Sequence, residues 1–200
     1  DRRLFRLISF IHCNKSSVIK SWVGNTASDC KLMMLCDASF AADLTDSKST
    51  SGVLLALVGS QTLCPITWLC KKQGATSHSS TEAELIALDA GLRLEGLPSM
   101  TLWDLIINVL EPRTTLPTAD TRVIRNALLP KEHQLLLDTD YVPTNVAPLS
   151  DRCKLVIMED NDAVIKMCLK VRAPTMRHVS RTHCIDVDSL LERIHSDTHI

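Results

Sequence analysis

Four acidic side chains, widely separated along the chain, occupy places from which carboxylates can do chemistry together. Asp37 closes the continuously apolar run Leu32-Met33-Met34-Leu35-Cys36, and Asp160 follows a second such run over residues 154–158, with Glu159 between. Short uninterrupted apolar runs suit buried strands, and each of these delivers an acid at its C-terminal end. Glu84 lies near the start of a segment that opens Ser79-Ser80-Thr81-Glu82, and Asp186 stands immediately before another segment of helical character. Two strand ends and two helix starts can therefore aim carboxylates at one point. That convergence suits a divalent metal, because Mg2+ is a hard cation that prefers oxygen ligands and is held by a few carboxylates plus phosphate and water. A pair of such ions roughly 3.5–4 Å apart activates a water and stabilises the leaving oxygen of a phosphodiester, which is what strand cutting requires. The residue types alone leave a second explanation open, since aspartates are common at strand ends and helix N-caps for local hydrogen-bonding reasons.

The elements that must hold these acids follow from periodicity. Apolar positions 4, 5, 7, 8 and 11 recur at helical spacing and predict a short amphipathic helix within residues 1–24. After the strand that ends on Asp37, residues 43–51 are polar and predict a loop. Residues 53–58 and 62–70 are apolar stretches split by Gly59-Ser60-Gln61, which predicts an antiparallel hairpin. Ser79-Ser80-Thr81-Glu82 and the overlapping Thr81-x-x-Glu84 both have the form of a capping box, and Ala83, Ile86, Ala87, Ala90 and Leu94 continue at helical period. Residues 111–151 contain Pro112, Pro117, Pro130, Pro143 and Pro148 with little periodicity, and predict a long excursion. A strand over 154–158, a helix over 162–171, a basic loop over 172–183 and a closing helix over 187–195 complete the chain, with Asp186 at the N-terminus of the last helix.

Composition narrows the class. With 45% hydrophobic residues in 200, one principal core is expected. The balance of 22 basic against 23 acidic residues gives a net charge of -1, so any polyanion contact must rest on local patches. None of the eight cysteines falls in a Cys-x-x-Cys pair, and several, such as Cys36 and Cys70, sit inside apolar runs. Buried free thiols in a reducing compartment are expected, rather than a disulfide frame or a zinc site. No stretch approaches the ~18 uninterrupted apolar residues of a membrane span, so no membrane partner is expected. The start Asp1-Arg2-Arg3 carries neither an initiator methionine nor a signal-peptide core, and the chain reads as a piece of a longer polypeptide.

The phrases around the acids resemble a known family. Cys36-Asp37-Ala38-Ser39, followed by Asp43-Leu44-Thr45-Asp46-Ser47-Lys48-Ser49-Thr50-Ser51-Gly52, is similar to the first-strand aspartate and the Lys-Ser-Thr-Ser-Gly loop of the ribonuclease H domain in copia-type retrotransposon polyproteins. Ile66-Thr67-Trp68 with Lys71-Lys72-Gln73, and Ser79-Ser80-Thr81-Glu82-Ala83-Glu84-Leu85-Ile86-Ala87-Leu88, resemble that family's third strand and first helix. Asp160-Asn161 before Ala163-Val164-Ile165 is similar to its second catalytic-strand motif, and Arg181-Thr182-His183-Cys184-Ile185-Asp186-Val187 to its closing motif. Order and rough spacing agree over residues 31–195, and residues 1–29 resemble the tail of the preceding reverse-transcriptase region.

The resemblance implies an RNase H-like α/β fold over residues 30–196. Its mixed central sheet has three antiparallel strands and then parallel strands, flanked by helices, with the excursion at 111–151 inserted. It implies that Asp37, Glu84, Asp160 and Asp186 are the catalytic, metal-binding acids for two Mg2+ or Mn2+ ions. Asp37 and Asp160 would bridge or flank the metals, Glu84 would hold the metal on the RNA side, and Asp186 would complete the second site. Glu84 is preferred to Glu82 because the family's glutamate directly precedes the Leu-Ile-Ala-Leu stretch; Glu82 then reads as a first-turn cap, and Asp162 as a first-turn acid on its own helix. The implied activity is hydrolysis of the RNA strand of an RNA–DNA hybrid during reverse transcription, beside the polymerase region of the same polyprotein, in a cytoplasmic virus-like particle. The alternative is a catalytically silent domain with a structural or hybrid-binding role. The family commonly has Lys-His before the Ile-Asp of its last motif, where this chain has His183-Cys184, so His183 is the candidate for proton transfer or product release. A hybrid is gripped mainly through phosphates, and Lys48, Ser49, Thr50, Ser51, Lys71, Lys72, Arg177 and Arg181, with Arg172, are the candidate contacts. Trp68 and Trp103, each among apolar neighbours, are expected to pack within strands or helices rather than stack on bases.

Overall fold

The computed structural model describes residues 1–42, 45–112, 149 and 151–200. The excursion expected at 111–151 therefore lies almost wholly outside the described residues. The chain opens with α1 (Arg2–Cys13), capped by the Asp1 side chain and with no buried residue of its own. Then come β1 (Trp22–Val23), β2 (Lys31–Ser39), β3 (Thr50–Gly59), β4 (Thr62–Lys72) and α2 (Ser80–Gly91). Without a break in helical backbone, α2 passes through a π-turn over Leu92–Gly96 into α3 (Leu97–Leu110). After the undescribed stretch follow β5 (Leu155–Met158), α4 (Asp162–Lys170), a 3-10 turn at Pro174–Met176, α5 (Val179–His183) and α6 (Val187–Ser196).

The strands make one five-stranded mixed sheet in the order β1-β4-β3-β2-β5, with β5 parallel to β2 and the other pairs antiparallel. The expected α/β class with a mixed, helix-flanked sheet is what the chain forms. Strand β3 begins three residues earlier than its apolar run, so Thr50 and Ser51 lie in the ladder and not in the preceding loop. The two-residue strand β1, unanticipated because nothing in Trp22-Val23 alternates, pairs with Leu63 and Thr62 of β4. Pro65 is tolerated inside β4 because it sits at the register shift beside Ala56, where the ladder is already irregular.

Period-two alternation sorts the sheet into two faces. Leu32, Met34 and Cys36 of β2 and Val53, Leu55 and Leu57 of β3 are buried against α2, whose Leu85, Ile86 and Leu88 are buried in return. Each fully buried leucine or methionine contributes roughly 1.5–3 kcal/mol relative to exposure. Gly91 lets the helix approach this closely: a Cβ there would stand 3.0 Å from both Cys36 Sγ and Val53 Cγ2. The opposite face leaves Leu35, Leu54, Ile66 and Trp68 exposed. Trp68, 64% exposed, therefore corrects the expectation that it packs inside, whereas Trp103 on α3 is buried as expected. All eight cysteines are free thiols; Cys30, Cys36 and Cys153 are buried, but Cys13, Cys70 and Cys184 are exposed. Among the described residues no helix is long and apolar enough to cross a membrane.

Candidate metal centre

Strands β2 and β5 run side by side in parallel, with Leu32 against Leu155 and Leu35 against Met158. Carried two residues past the end of β5, the same offset sets Asp37 beside Asp160 and Cys36 beside Glu159. Alternation then gives the two pairs different surroundings. Asp37 and Asp160 are exposed, whereas Cys36 is buried and Glu159 half-buried. The third acid comes from α2. Ser79 caps that helix by accepting from the Glu82 N–H at 3.1 Å, and Glu84 follows within the next turn.

The N-terminal end of α2 is fixed to the sheet by Gln73, which is buried at the end of β4. Its N–H donates to the Ser49 carbonyl at 2.9 Å, and its side-chain amide donates to Ser51 Oγ at 3.0 Å and to the Ala83 carbonyl at 2.9 Å. Ser77 Oγ closes the set by donating to Gln73 Oε1 at 2.9 Å. One amide thus holds β3, the loop after β4 and the turn that carries Glu84.

Asp37, Glu84 and Asp160 each offer a carboxylate oxygen within 4.8 Å of the others. Glu84 is 7% exposed and its Oε2 has no hydrogen-bond partner among the described residues. Burial foremost, and then the charges of Glu159, Asp37 and Asp160, push its acid up to about 7, against a lowering hydrogen bond from the Ala38 N–H. Those neighbouring charges are all carboxylates. Buried like charges without compensation are unfavourable, and a cation among them turns repulsion into attraction. The donors are hard oxygens, so the set fits Mg2+ or Mn2+ and not a soft thiolate-seeking metal.

Asp186 is not among the three. It stands exposed at the N-cap of α6, where its Oδ1 accepts from the Ser189 N–H at 3.0 Å. Helix α6 packs against α4, and the acid at its start is employed locally. Asp162, in the first turn of α4, pairs with Lys166 and also stays out of the cluster. His183 is not a loop side chain open to solvent. Its side chain is 3% exposed, with Nε2 3.2 Å from Oε1 of Glu82, which is itself buried. The other oxygen of Glu82 accepts from the His78 N–H at 2.8 Å and lies 3.1 Å from His178 Nε2. Burial pushes the Glu82 acid up, but the hydrogen bonds and charges of His78 and His178 outweigh it and hold the group below its ordinary value. Glu82 is a first-turn acid as expected, but one that joins α5 to α2.

Of the candidate phosphate contacts, Lys71, Arg172, Arg177 and Arg181 are exposed, and Lys72 is exposed but paired with Asp46 at 2.8 Å. Lys48 and Thr50 are half-buried. Ser49 and Ser51 correct the expectation: both are buried, Ser49 Oγ accepting from the Ala41 N–H at 3.1 Å and Ser51 Oγ from Gln73. The early start of β3 draws them into the sheet. Sequence reasoning passed over Glu159, whose Oε1 accepts from the Asn161 N–H at 3.0 Å and whose buried Oε2 has no hydrogen-bond partner among the described residues. Its signal was available, since the residue before an outward strand-end acid must face inward.

Fold and site together define an α/β protein with a five-stranded mixed sheet and an acidic cluster, at the ends of two parallel strands, able to hold a metal ion. No family profile, curated protein or solved structure matches the chain.

Proposed function

We propose that the chain is a metal-dependent nuclease of the RNase H-like class that hydrolyses the RNA strand of an RNA–DNA hybrid. The observation that carries this reading is the meeting of Asp37, Glu84 and Asp160, from three separate elements, within 4.8 Å of one another. The three acids come in the order and phrases of the copia-type resemblance, and the mixed sheet sets β2, β3 and β4 antiparallel with one parallel strand, β5, among the described residues, where the resemblance implies more than one.

Asp37, Glu84 and Asp160 would hold Mg2+ or Mn2+. When bound, the metal supplies positive charge to phosphate oxygens and lowers the pKa of a water that attacks phosphorus. The protein's share is positioning. Strand pairing fixes Asp37 and Asp160 at one end of the sheet, and the Gln73 network fixes the turn that presents Glu84. Lys71, Arg177 and Arg181 are exposed and offer charge to a nucleic-acid backbone without reading bases. A second reading, a catalytically silent hybrid-binding domain, is favoured by one observation: Asp186 caps α6 and does not join the other acids.

A labelled RNA–DNA hybrid incubated with the protein and Mg2+ or Mn2+ separates the two. Metal-dependent cleavage of the RNA strand that falls by more than about 100-fold in Asp37→Asn supports the nuclease, since even residues that only orient metal ligands are worth roughly 10–100-fold. Hybrid binding without cleavage supports the silent domain. Neither binding nor cleavage removes both.

A further inference from the structure

Glu82 is wholly buried in the first turn of α2, a place where a carboxylate is costly unless other groups satisfy it. The groups that face it belong to histidines. Its Oε2 accepts from the His78 N–H at 2.8 Å and lies 3.1 Å from His178 Nε2, while Oε1 stands 3.2 Å from His183 Nε2. The His78 ring meets the His178 ring edge-on, with centroids 5.2 Å apart. Glu82 Oε1 and His183 Nε2 are both shut off from solvent, and neither is hydrogen-bonded to another group among the described residues. Buried polar atoms are nearly always partnered, so each of these is what the other has in place of water.

The contacts bridge three parts of the chain. His78 belongs to the loop after β4, Glu82 to α2, and His178 and His183 stand at the two ends of α5. On an α-helix each residue advances by about 100°, so side chains two apart point in nearly opposite directions. Glu82 accordingly faces α5, whereas Glu84 faces Asp37 and Asp160. Between them, the Ala83 carbonyl is held by the Gln73 amide at 2.9 Å. Three successive residues are thus fixed from three directions, and Glu84 is the one set among like charges, which push it away from its partners until a cation is present. The histidines hold the same turn without needing that cation.

We propose that His183 is a positioning residue of the metal centre: through Glu82 it holds the first turn of α2 against α5, and so sets where Glu84 meets Asp37 and Asp160. This rests on the reading of the three acids as a metal centre. It gives His183 a task other than the proton transfer or product release that the resemblance suggests, since its buried Nε2 faces Glu82.

The test is Mn2+ binding by the whole chain, followed through the electron paramagnetic resonance of the free ion at a temperature where every variant is folded, with melting recorded alongside. The parent protein is compared with Asp37→Asn, Glu82→Gln, His183→Leu and the double variant that combines Glu82→Gln with His183→Leu. Each single variant is expected to weaken Mn2+ binding by about 10-fold or more, the range for groups that orient metal ligands. The double variant binds no more weakly than the poorer of its two singles, because both substitutions break one and the same link. Lower melting with unaltered Mn2+ affinity in His183→Leu shows a merely stabilising contact; it overturns the proposal and leaves the metal centre standing. Losses that multiply in the double variant show that His183 does not act through Glu82, and overturn it too. Binding intact in Asp37→Asn overturns the metal centre, and the proposal with it. Should His183→Leu not fold, Glu82→Gln decides, since it keeps the shape of the side chain: weakened Mn2+ binding upholds the proposal and unaltered binding overturns it.

Discussion

Between pH 4.5 and about 7 Glu84 keeps a proton that an ordinary glutamic acid has lost, because it is buried and faces other carboxylates. In that window the folded protein binds more protons at this group than the unfolded chain does, so its metal-free stability falls as pH rises through the window. Glu159 is shifted in the same direction, by burial first. Melting temperatures measured in chelator from acid to neutral pH are expected to show this fall, and Glu84→Gln is expected to reduce it; an unchanged slope in the variant would remove the assignment. Metal ligands must be deprotonated, so Mn2+ affinity rises with pH over the same range. The thiols make a second expectation at this scale. Burial, then the charges of Glu159 and Glu84, push Cys36 up to about 12, and burial, then the charge of Asp104, pushes Cys153 up to about 11. The thiolate is the reactive species, so with a disulfide reagent near pH 8 the exposed Cys13, Cys70 and Cys184 react first, and Cys36 and Cys153 only as the protein unfolds. Peptide mapping of labelled cysteines over time checks the order.

At the scale of elements, the site depends on how closely α2 lies on the sheet and on how α6 begins. Gly91→Ala gains helix propensity of up to about 1 kcal/mol. Against this, the new methyl would stand 3.0 Å from Cys36 Sγ and Val53 Cγ2, and neither a stiff β-branched side chain nor a buried thiol gives way easily. Overpacking of this kind costs about 1–3 kcal/mol, so the variant is expected to be less stable by about 1 kcal/mol in denaturant titration. For α6, Asp186→Ala removes the acceptor for the Ser189 N–H and is expected to cost about 1 kcal/mol, while Asp186→Asn, an equally good N-cap, retains the stability. The capping box at α2 was legible, and Ser79 forms its half of it. Glu82 reaches the His78 N–H instead of returning to Ser79, since its buried carboxylate faces His178 and His183.

At the scale of the whole molecule, α1 stands apart from the core, with Leu4, Phe5, Leu7, Ile8, Phe10 and Ile11 all exposed. Removing residues 1–14 is therefore expected to change the stability of the remainder by no more than about 0.5 kcal/mol, as for surface changes generally; a larger drop in denaturant titration would show that the helix is part of the fold. The amino-acid sequence by itself determined the strands β2 to β5, the hairpin, the helices that begin near Ser80, Asp162 and Val187, and the identity of the acids at the strand ends, because these follow from periodicity and local capping along a few residues, whereas β1, α3 and the division of β2 into an inward and an outward face did not show in it. It did not determine which acids meet. Asp37 and Asp160 lie together because the register of β2 on β5 sets them side by side, and Glu159 faces the interior because alternation turns it opposite to Asp160. Asp186 remains at its cap because α6 packs on α4, and Ser49 and Ser51 are buried because β3 starts early and Gln73 folds over them. Each of these outcomes was settled between segments distant in the chain, where pairing offset and packing decide and no local pattern carries the information.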